Sequence, residues 1–578
     1  MHIAKTRPDV SLRGPLAGCF ALSALLGIAS SMGTFRQALQ GELINPDSYM
    51  RLVRLHDELA AGHTLHGVAR DGSGHGTVLH WSHLLDSLLV LLAAPLTLLT
   101  DTDTALRWAG LALGPLSLGA LGAALAWAVA PVAGRGFLWA AAVASALAPA
   151  ILGYGMVGVV HHHVLLAAAA AMAAGWALRL ALGQGGSAAG MALGAWVPAG
   201  IWLSPETMPF GLMAFGGLAL AWLLKPATPG LRPGLAAAGS TLLALVAAAL
   251  LVDPPAGGRF TLEVDCLSGV YLALGAACCA AGWAMARLGR TGGAALGGLC
   301  LLAWMAAFPS LLRGAAAVVP AAQLQALDGI SELAPINTLH DLLGYLVTGI
   351  LTAGLLGWLA WRRQSALLAY AAFCGLVIVV LAAVHVRFST YAATIAAAML
   401  PVALTLANRA LAGAEEHRRA LARVGLIALA VLLPRLAVLL PAPASASPPV
   451  SGALCNTRAA AALLAPYAGR IVLTHPNDTP ELLYRTGVLT VGSLYHRNAE
   501  ALLRLQAAWK GVAGTVPGPA VEATGATLFL ICPREKPPPG ADTLAARLSA
   551  GDVPPWLRRI AAEPSGYVLY ERLLETPS

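Results

Sequence analysis

Long apolar stretches separated by short polar segments dominate the first 440 or so residues. A helix needs about 17–25 mostly apolar residues to cross a hydrocarbon core of about 30 Å. About thirteen windows meet this requirement, and the sequence therefore predicts a polytopic α-helical membrane protein. The predicted spans are 15–33, 108–130, 136–152, 164–182, 188–203, 209–224, 235–252, 267–286, 292–308, 342–361, 365–384, 388–407 and 424–440.

One further apolar stretch, residues 84–100, decides the orientation of the whole bundle. It contains Asp86 and is short for a span, so we predict an interfacial or re-entrant helix within a first outer loop at 34–107. Leaving it out of the count places the basic loop clusters on one side, which is the cytoplasmic side by the positive-inside rule. These clusters contain Arg135, Arg179, Lys225, Arg287, Arg290, Arg362, Arg363, Arg409, Arg418 and Arg419.

Composition excludes a soluble globular chain. Hydrophobic residues make up 58% of the sequence and charged residues 11%, and the mean hydropathy is +0.71. The net charge of +8 comes mainly from loop arginines. Stacking aromatics do not accompany them, so membrane topology explains the charge and no nucleic-acid partner is expected.

Hydropathy falls to ordinary globular values after a segment rich in proline, alanine and serine. We predict a transmembrane domain over 1–441, a linker over 442–453 and a soluble α/β domain over 454–578. Strand-like runs at 470–474, 488–492, 526–532 and 567–573 alternate with helical windows at 456–467, 495–509 and 541–550. The predicted topology places this domain outside the cytoplasm. Cys455 and Cys532 are candidates for a disulfide there, but the sequence does not show whether they are close enough.

The first outer loop carries Asp47, directly before an amphipathic helix with Arg51, Arg54 and Asp57 on its polar face. An aspartate at that position is also a common helix N-cap, so both readings stay open. The same loop ends on an unusual density of polar and aromatic side chains. They are His75, His80, Trp81, His83 and Asp86.

Three consecutive histidines, His161, His162 and His163, lie at the outer entrance of an apolar span. On one helix their side chains would point about 100° apart, so at most two would face a common ligand. Imidazole binds divalent metals and transfers protons near neutral pH. Contact with solvated lipid headgroups is the alternative.

Two more outer segments carry candidate chemistry. Glu332 lies in a fifth outer loop, 309–341, where helix capping by Ser331 or Asp328 is the alternative explanation. Arg387 begins the twelfth predicted span, where an arginine either extends to the interface or binds a phosphate. Glu206 and Asp265 face the same predicted side without a recognisable motif.

The order of these motifs resembles the catalytic subunit of oligosaccharyltransferase and its bacterial relatives, which are type C membrane glycosyltransferases. Asp47 with Tyr49 is similar to that family's metal-binding aspartate, and the Ile-Ser-Glu-Leu-Ala-Pro element around Glu332 is similar to its catalytic glutamate motif. The Arg-Phe-Ser-Thr-Tyr-Ala sequence from Arg387 resembles its donor-binding motif. His161 stands where the second acidic motif is expected.

The resemblance implies roles for particular residues. Asp47, Glu332 and His162 are expected to be catalytic, and Arg387, Tyr391 and His80 to bind the donor phosphate. A divalent metal, Mg²⁺ or Mn²⁺, is a candidate cofactor. Its expected ligands are Asp47, His161, His163 and Glu332.

The implied activity is transfer of a sugar or oligosaccharide from a polyprenyl-linked donor, at the outer face of a bacterial inner membrane. The acceptor stays open among glycan, lipid and protein, because the C-terminal domain lacks the Trp-Trp-Asp-Tyr-Gly sequence with which the family's protein-modifying members hold a sequon. A transporter or flippase of lipid-linked sugars is an alternative, and predicts midplane charges and inverted repeats. A membrane scaffold with an outer interaction domain is the third, and would tolerate loss of Asp47 and Glu332.

Overall fold

The computed structural model of the chain describes residues 12–441, 455–532 and 542–573. These residues divide into two compact units that do not follow the predicted domain boundary. The first contains 12–43, 81–314 and 331–441, and the second contains 44–80 and 315–330 together with the C-terminal segments. Parts of the first and fifth outer loops therefore fold with the C-terminal domain and not with the spans. The predicted linker lies outside the described residues.

The first unit is helical, and each predicted span coincides with helical structure. Its longer helices are Arg13–Ser30, Leu84–Ala93, Thr102–Ala133, Trp139–Leu147, Pro149–Gly155, His163–Ala181, Gly186–Leu203, Met208–Leu224, Leu231–Val252, Gly269–Arg287, Arg290–Ala307, Val347–Arg363, Ala366–Val384, Ser389–Ala410 and Glu416–Val431. Among these, the ten-residue helix Leu84–Ala93 is about 15 Å long at 1.5 Å per residue and is too short to cross a bilayer.

Nine helices among the described residues are long and apolar enough to cross a membrane. They are Arg13–Ser30, Thr102–Ala133, His163–Ala181, Pro205–Leu224, Leu231–Val252, Gly269–Arg287, Leu339–Arg363, Ala366–Val384 and Val386–Ala410. The chain is thus a multi-pass membrane protein. Four predicted spans, at 136–152, 188–203, 292–308 and 424–440, coincide with helices that are not among these nine.

Small residues let the helices of the first unit approach closely. A Cβ atom added at Gly190 would lie 2.1 Å from the carbonyl oxygen of Gly234, so these two helices pack backbone to backbone. A buried core joins Thr102–Ala133, His163–Ala181 and Ser389–Ala410. Thr390 also donates to the carbonyl oxygen of Ala150 at 2.8 Å. This packing brings the beginnings of the second and third of these helices to one end of the unit.

The second unit contains two sheets. A two-stranded antiparallel sheet pairs β1 (Gly67–Val68) with β2 (Thr77–Val78). A five-stranded mixed sheet has the order β4-β3-β5-β7-β6. Its strands are β3 (Ile471–Leu473), β4 (Leu489–Thr490), β5 (Leu528–Ile531), β6 (Leu557–Ala562) and β7 (Val568–Arg572). Four of these five coincide with the strand-like runs of the sequence.

Strand β6 was not predicted, because its Leu-Arg-Arg-Ile-Ala-Ala sequence lacks the alternation of a strand with one buried face. It pairs with β7 at the edge of the sheet, where little side-chain burial is required. The helices of this unit are Pro46–Ala61, Thr457–Leu464, Thr479–Arg485, Ala499–Lys510, Pro519–Glu522 and Leu544–Ser549. A disulfide joins Cys455 to Cys532, which answers the question that the sequence left open.

Candidate active site

The three histidines lie where an irregular segment enters the helix His163–Ala181. Because this helix begins at His163, the other two histidines precede it, and the expectation that helical geometry would separate them is wrong. One ring nitrogen from each lies within 4.8 Å of the others. His161 Nδ1 and His163 Nδ1 are 2.6 Å apart, so one must donate a proton that the other accepts. All three residues are buried.

Glu332 extends this cluster. It lies in a three-residue 3-10 turn, Ser331–Leu333, and its Oε1 accepts a hydrogen bond from Tyr154 Oη at 3.0 Å. The same oxygen is 3.8 Å from His161 Nε2. The ring of Tyr154 stacks on His163 with centroids 4.3 Å apart. The alternative of a helix cap at Ser331 is not borne out, since Thr338 caps the helix that follows.

Arg387 occupies a single 3-10 turn, Val386–Phe388, before the helix Ser389–Ala410. It forms an ion pair with Glu206, which also accepts a hydrogen bond from Tyr391 Oη at 3.0 Å. His163 Nε2 lies 3.4 Å from the same carboxylate. The guanidinium is therefore held inside the protein by a carboxylate and does not simply extend to the interface.

Asp47 lies in the second unit, in the first turn of the helix Pro46–Ala61. Asn45 caps this helix, because its side chain accepts a hydrogen bond from Ser48 N at 2.9 Å, so the N-cap interpretation of Asp47 is wrong. Asp47 Oδ1 instead accepts a hydrogen bond from Tyr495 Oη at 2.8 Å. Burial, followed by the Asp47 carboxylate, raises the pKa of Tyr495 well above its usual value. The hydroxyl thus remains a donor to Asp47 at neutral pH.

His80, expected to bind phosphate, also belongs to the second unit. Its ring faces that of His496, with centroids 4.6 Å apart. His496 and Tyr495 both belong to the Ser-Leu-Tyr-His-Arg-Asn segment, which the sequence analysis did not assign to the site. The structure therefore places two predicted site residues, Asp47 and His80, beside one short segment of the C-terminal domain.

The remaining predicted residues come together in the first unit, where Glu332 and Arg387, both partly exposed, adjoin four buried residues. The buried residues are His161, His162, His163 and Tyr391. Glu206 and Tyr154 join this group although the sequence analysis gave neither a role. The available signal for Glu206 was an acid between two apolar segments, which is costly near a membrane and often functional. Tyr154 gave no comparable signal, because tyrosine is ordinary at the end of a span.

A second polar cluster of the first unit involves Asp253, which follows the helix Leu231–Val252. It accepts hydrogen bonds from His83 N (2.8 Å), His83 Nδ1 (2.6 Å) and Trp202 Nε1 (2.7 Å). Burial by itself would raise the pKa of Asp253, but the bonds from His83 and Trp202 hold it below its usual value. This cluster fixes the start of the helix Leu84–Ala93.

We expect the stabilising contribution of Asp253 to depend on pH. The pKa of Asp253 is lower in the folded than in the unfolded chain. Its stabilising contribution is therefore complete above a pH of about 4, and it is lost as the pH falls through the pKa of the folded state. At pH 7 the thermal unfolding temperature of Asp253→Asn should be lower than that of the wild type, and the difference between the two temperatures should shrink toward pH 3. Asp103→Asn, at a half-exposed position, is the control. A difference that stays constant with pH would contradict this assignment.

Comparison with known proteins adds evidence from structure alone. No protein-family model matches the sequence, and no curated protein matches it. The chain is similar to structures of the oligosaccharyltransferase AglB from Archaeoglobus fulgidus. The structure tethered to an acceptor peptide containing an NVT sequon matches at a TM-score of 0.67 and 15% identity, over 89% of this chain and 69% of that one.

Two further structures of the same archaeal enzyme agree with this match. The complex with an inhibitory peptide and a dolichol-phosphate matches at a TM-score of 0.65 and 14% identity, over 90% of this chain and 70% of that one. The complex with zinc and sulfate matches at 0.62 and 14%, over 89% and 67%. The resemblance indicated by the motifs is thus confirmed as a similarity of fold to an archaeal oligosaccharyltransferase.

Proposed function

We propose that this chain is a membrane glycosyltransferase that transfers a sugar or oligosaccharide from a polyprenyl phosphate or diphosphate to an acceptor at the outer face of a bacterial inner membrane. The observation that carries the proposal is the polar group in the first unit, where the partly exposed Arg387 and Glu332 lie with Tyr391 and three buried histidines. A guanidinium, imidazoles and carboxylates in one place suit the departure of a phosphate and the movement of a proton.

Each residue has a role in this proposal. Arg387 donates hydrogen bonds to the donor phosphate and stabilises the negative charge that develops as the glycosidic bond breaks. Tyr391 and His80 assist in holding that phosphate. Asp47 and Glu332 accept the proton of the attacking acceptor group or bind a metal, and His162 transfers a proton.

A divalent metal fits the residues of the first unit. Buried ring nitrogens of the three histidines lie within 4.8 Å of one another, and Glu332 is 3.8 Å from His161. His161, His163 and Glu332 would hold the ion, which would supply Lewis-acid stabilisation of phosphate charge. Asp47, the fourth ligand that the resemblance implies, lies in the second unit. Imidazole ligands suit zinc and related metals, whereas carboxylates suit Mg²⁺ and Mn²⁺, so both kinds of ion should be tested.

The lipid donor is supported by the similarity of fold. The similar archaeal enzyme has been solved with dolichol-phosphate, and a polyprenyl tail stays in the bilayer while its headgroup is processed at the surface. That enzyme also binds peptides. The present C-terminal domain lacks the Trp-Trp-Asp-Tyr-Gly sequence, so we leave the acceptor open among glycan, lipid and protein.

Glycan transfer by purified protein in detergent, with extracted polyprenyl-linked sugars as donors, tests the proposal. We expect transfer by the wild type and a loss of at least about a hundredfold in Asp47→Ala and in Glu332→Ala, the scale of a lost acid–base group. A chelator should abolish transfer if the histidines hold a metal. Unchanged transfer in both variants would contradict the site assignment.

The alternative transporter function makes a different prediction. A flippase moves lipid-linked sugar across sealed vesicles and forms no new glycosidic bond in detergent. Lipid translocation without transfer by folded wild-type protein would therefore favour the transporter. Neither activity would favour the scaffold, for which Asp47 and Glu332 are dispensable together.

A further inference from the structure

Glu206 is the centre of a buried polar contact that the proposed mechanism does not use. It lies in a single 3-10 turn, Pro205–Thr207, between the helices Gly186–Leu203 and Met208–Leu224. Only 6% of its side chain is exposed. Three different side chains meet its carboxylate: Arg387 at Oε2, and Tyr391 Oη (3.0 Å) and His163 Nε2 (3.4 Å) at Oε1.

The pairing with Arg387 leaves part of the guanidinium for another ligand. A guanidinium has five N–H donors, and Glu206 accepts from Nη2. Arg387 Nε is buried and has no hydrogen-bond partner among the described residues. Nε and Nη2 share one edge of the guanidinium, so Glu206 holds the arginine at that edge and leaves the Nη1 donors on the other side, away from the carboxylate. An arginine held in this way loses little conformational freedom when a phosphate binds.

His163 Nε2 is buried and forms no hydrogen bond with the described residues, but it lies 3.4 Å from the Glu206 carboxylate. A carboxylate beside Nε2 favours the tautomer with its proton on Nε2, which leaves a lone pair on Nδ1. His163 Nδ1 is the atom that lies 2.6 Å from His161 Nδ1, where the three rings converge. Glu206 thus directs a ligating nitrogen toward the other histidines. Carboxylates in this relation to a metal-binding histidine strengthen metal binding.

We propose that Glu206 is a positioning residue for two other side chains: it orients Arg387 toward the donor phosphate and holds His163 in the tautomer that binds a metal. This inference rests on the proposed function. It assigns Glu206 no direct contact with substrate. It explains why an acidic side chain is buried next to a group that must attract a phosphate.

Two variants separate this role from a general structural one. Glu206→Gln keeps the size of the side chain and removes its charge. Glu206→Asp keeps the charge but shortens the side chain, so that it cannot reach Arg387 and His163 together. Glu415→Gln, at a position 75% exposed at the start of the helix Glu416–Val431, is the matched control. A cooperative thermal transition first shows that the two Glu206 variants and the control are folded, and each is then compared with the wild type.

Metal affinity is the readout that does not depend on transfer. Isothermal titration with Zn²⁺ and with Mn²⁺ should show a 10- to 100-fold loss in Glu206→Gln and in Glu206→Asp, the range found for residues that orient metal ligands. Glu415→Gln should bind as the wild type does. Affinity within twofold of the wild type in both Glu206 variants, or no metal binding by the wild type, would overturn the role at His163.

Transfer kinetics test the role at Arg387. In Glu206→Gln we expect kcat to fall about 30- to 100-fold while KM for the polyprenyl-linked donor stays equal or decreases, because Arg387 keeps its charge but loses its fixed orientation. A kcat equal to that of the wild type would overturn this part. If the wild type transfers no glycan, the proposed function fails, and the metal titration still decides whether Glu206 supports the histidines.

Discussion

Arg387→Ala should lower the rate of glycan transfer by about a thousandfold, the largest effect on activity that we expect from one substitution. Removing one preorganised donor to developing negative charge costs about 10²–10³ in kcat, and Arg387 supplies a full positive charge in addition. Its loss also leaves the buried Glu206 carboxylate without its ion-pair partner. The measurement is kcat for transfer from extracted polyprenyl-linked sugars by protein in detergent.

Arg409 offers a matched control for this prediction. It lies in the last turn of the same helix, Ser389–Ala410, and its basic neighbours place it on the predicted cytoplasmic side. Arg409→Ala should therefore transfer glycan at the rate of the wild type. Arg387→Lys should recover little, because a point charge cannot replace a planar guanidinium paired on one edge. Transfer by Arg387→Ala within tenfold of the wild type would contradict the phosphate-binding role.

Asp71→Ala should destabilise the second unit by about 3 kcal/mol, the largest effect on stability that we expect. Asp71 is fully buried. Its carboxylate accepts hydrogen bonds from Thr77 at 2.7 Å, Thr490 at 2.9 Å and Ser493 at 2.5 Å. Removing it leaves three buried hydroxyl groups without this acceptor, and it breaks two of the hydrogen bonds, those from Thr490 and Ser493, that join the first-loop segment to the C-terminal segments.

This loss of about 3 kcal/mol should lower the unfolding temperature of the second unit by about 6–12 °C, because each kcal/mol of unfolding free energy corresponds to about 2–4 °C in a unit of this size. Hydrogen exchange should also rise in the segment around Ser493, because the Asp71 carboxylate bonds it directly. Asp552→Ala removes an exposed ion pair with Arg547 in the same unit and should change little. A shift below about 2 °C in Asp71→Ala, or faster exchange spread evenly over the unit, would contradict the role of Asp71.

Membrane architecture follows from the sequence because a bilayer requires a minimum length of continuous apolar sequence for each span. Each span must supply about 20 apolar residues, so every predicted span coincides with helical structure, and residues 84–100 form only a short helix as expected. Four strands of the C-terminal domain were also predictable, since β5 and β7, for example, are apolar segments that include β-branched and aromatic residues. Strand β6 was missed because edge pairing requires no such pattern.

Local motifs also supplied candidate site residues that lie together in the structure. Arg387, Glu332 and the three histidines became candidates because polar groups at the ends of apolar spans are rare and costly. Their chemical types indicated phosphate, proton or metal chemistry without any knowledge of contacts. The sequence could not show how the histidines are arranged, because their geometry depends on the residue at which the helix begins. That residue is His163, so His161 precedes the helix and His162 is its N-cap.

Tertiary structure decided which residues are partners. Glu206 and Arg387 are 181 residues apart, and Asp71 and Ser493 are 422 apart. No periodicity connects such positions, because hydrophobic patterning reports only whether a residue faces lipid, core or water. Contacts between them arise from the packing of several helices or strands at once. The sequence by itself therefore determined the membrane class, most of the elements and the kinds of chemistry available. Packing determined that Glu206 joins the candidate site and that residues 44–80 of the first loop fold with the C-terminal domain.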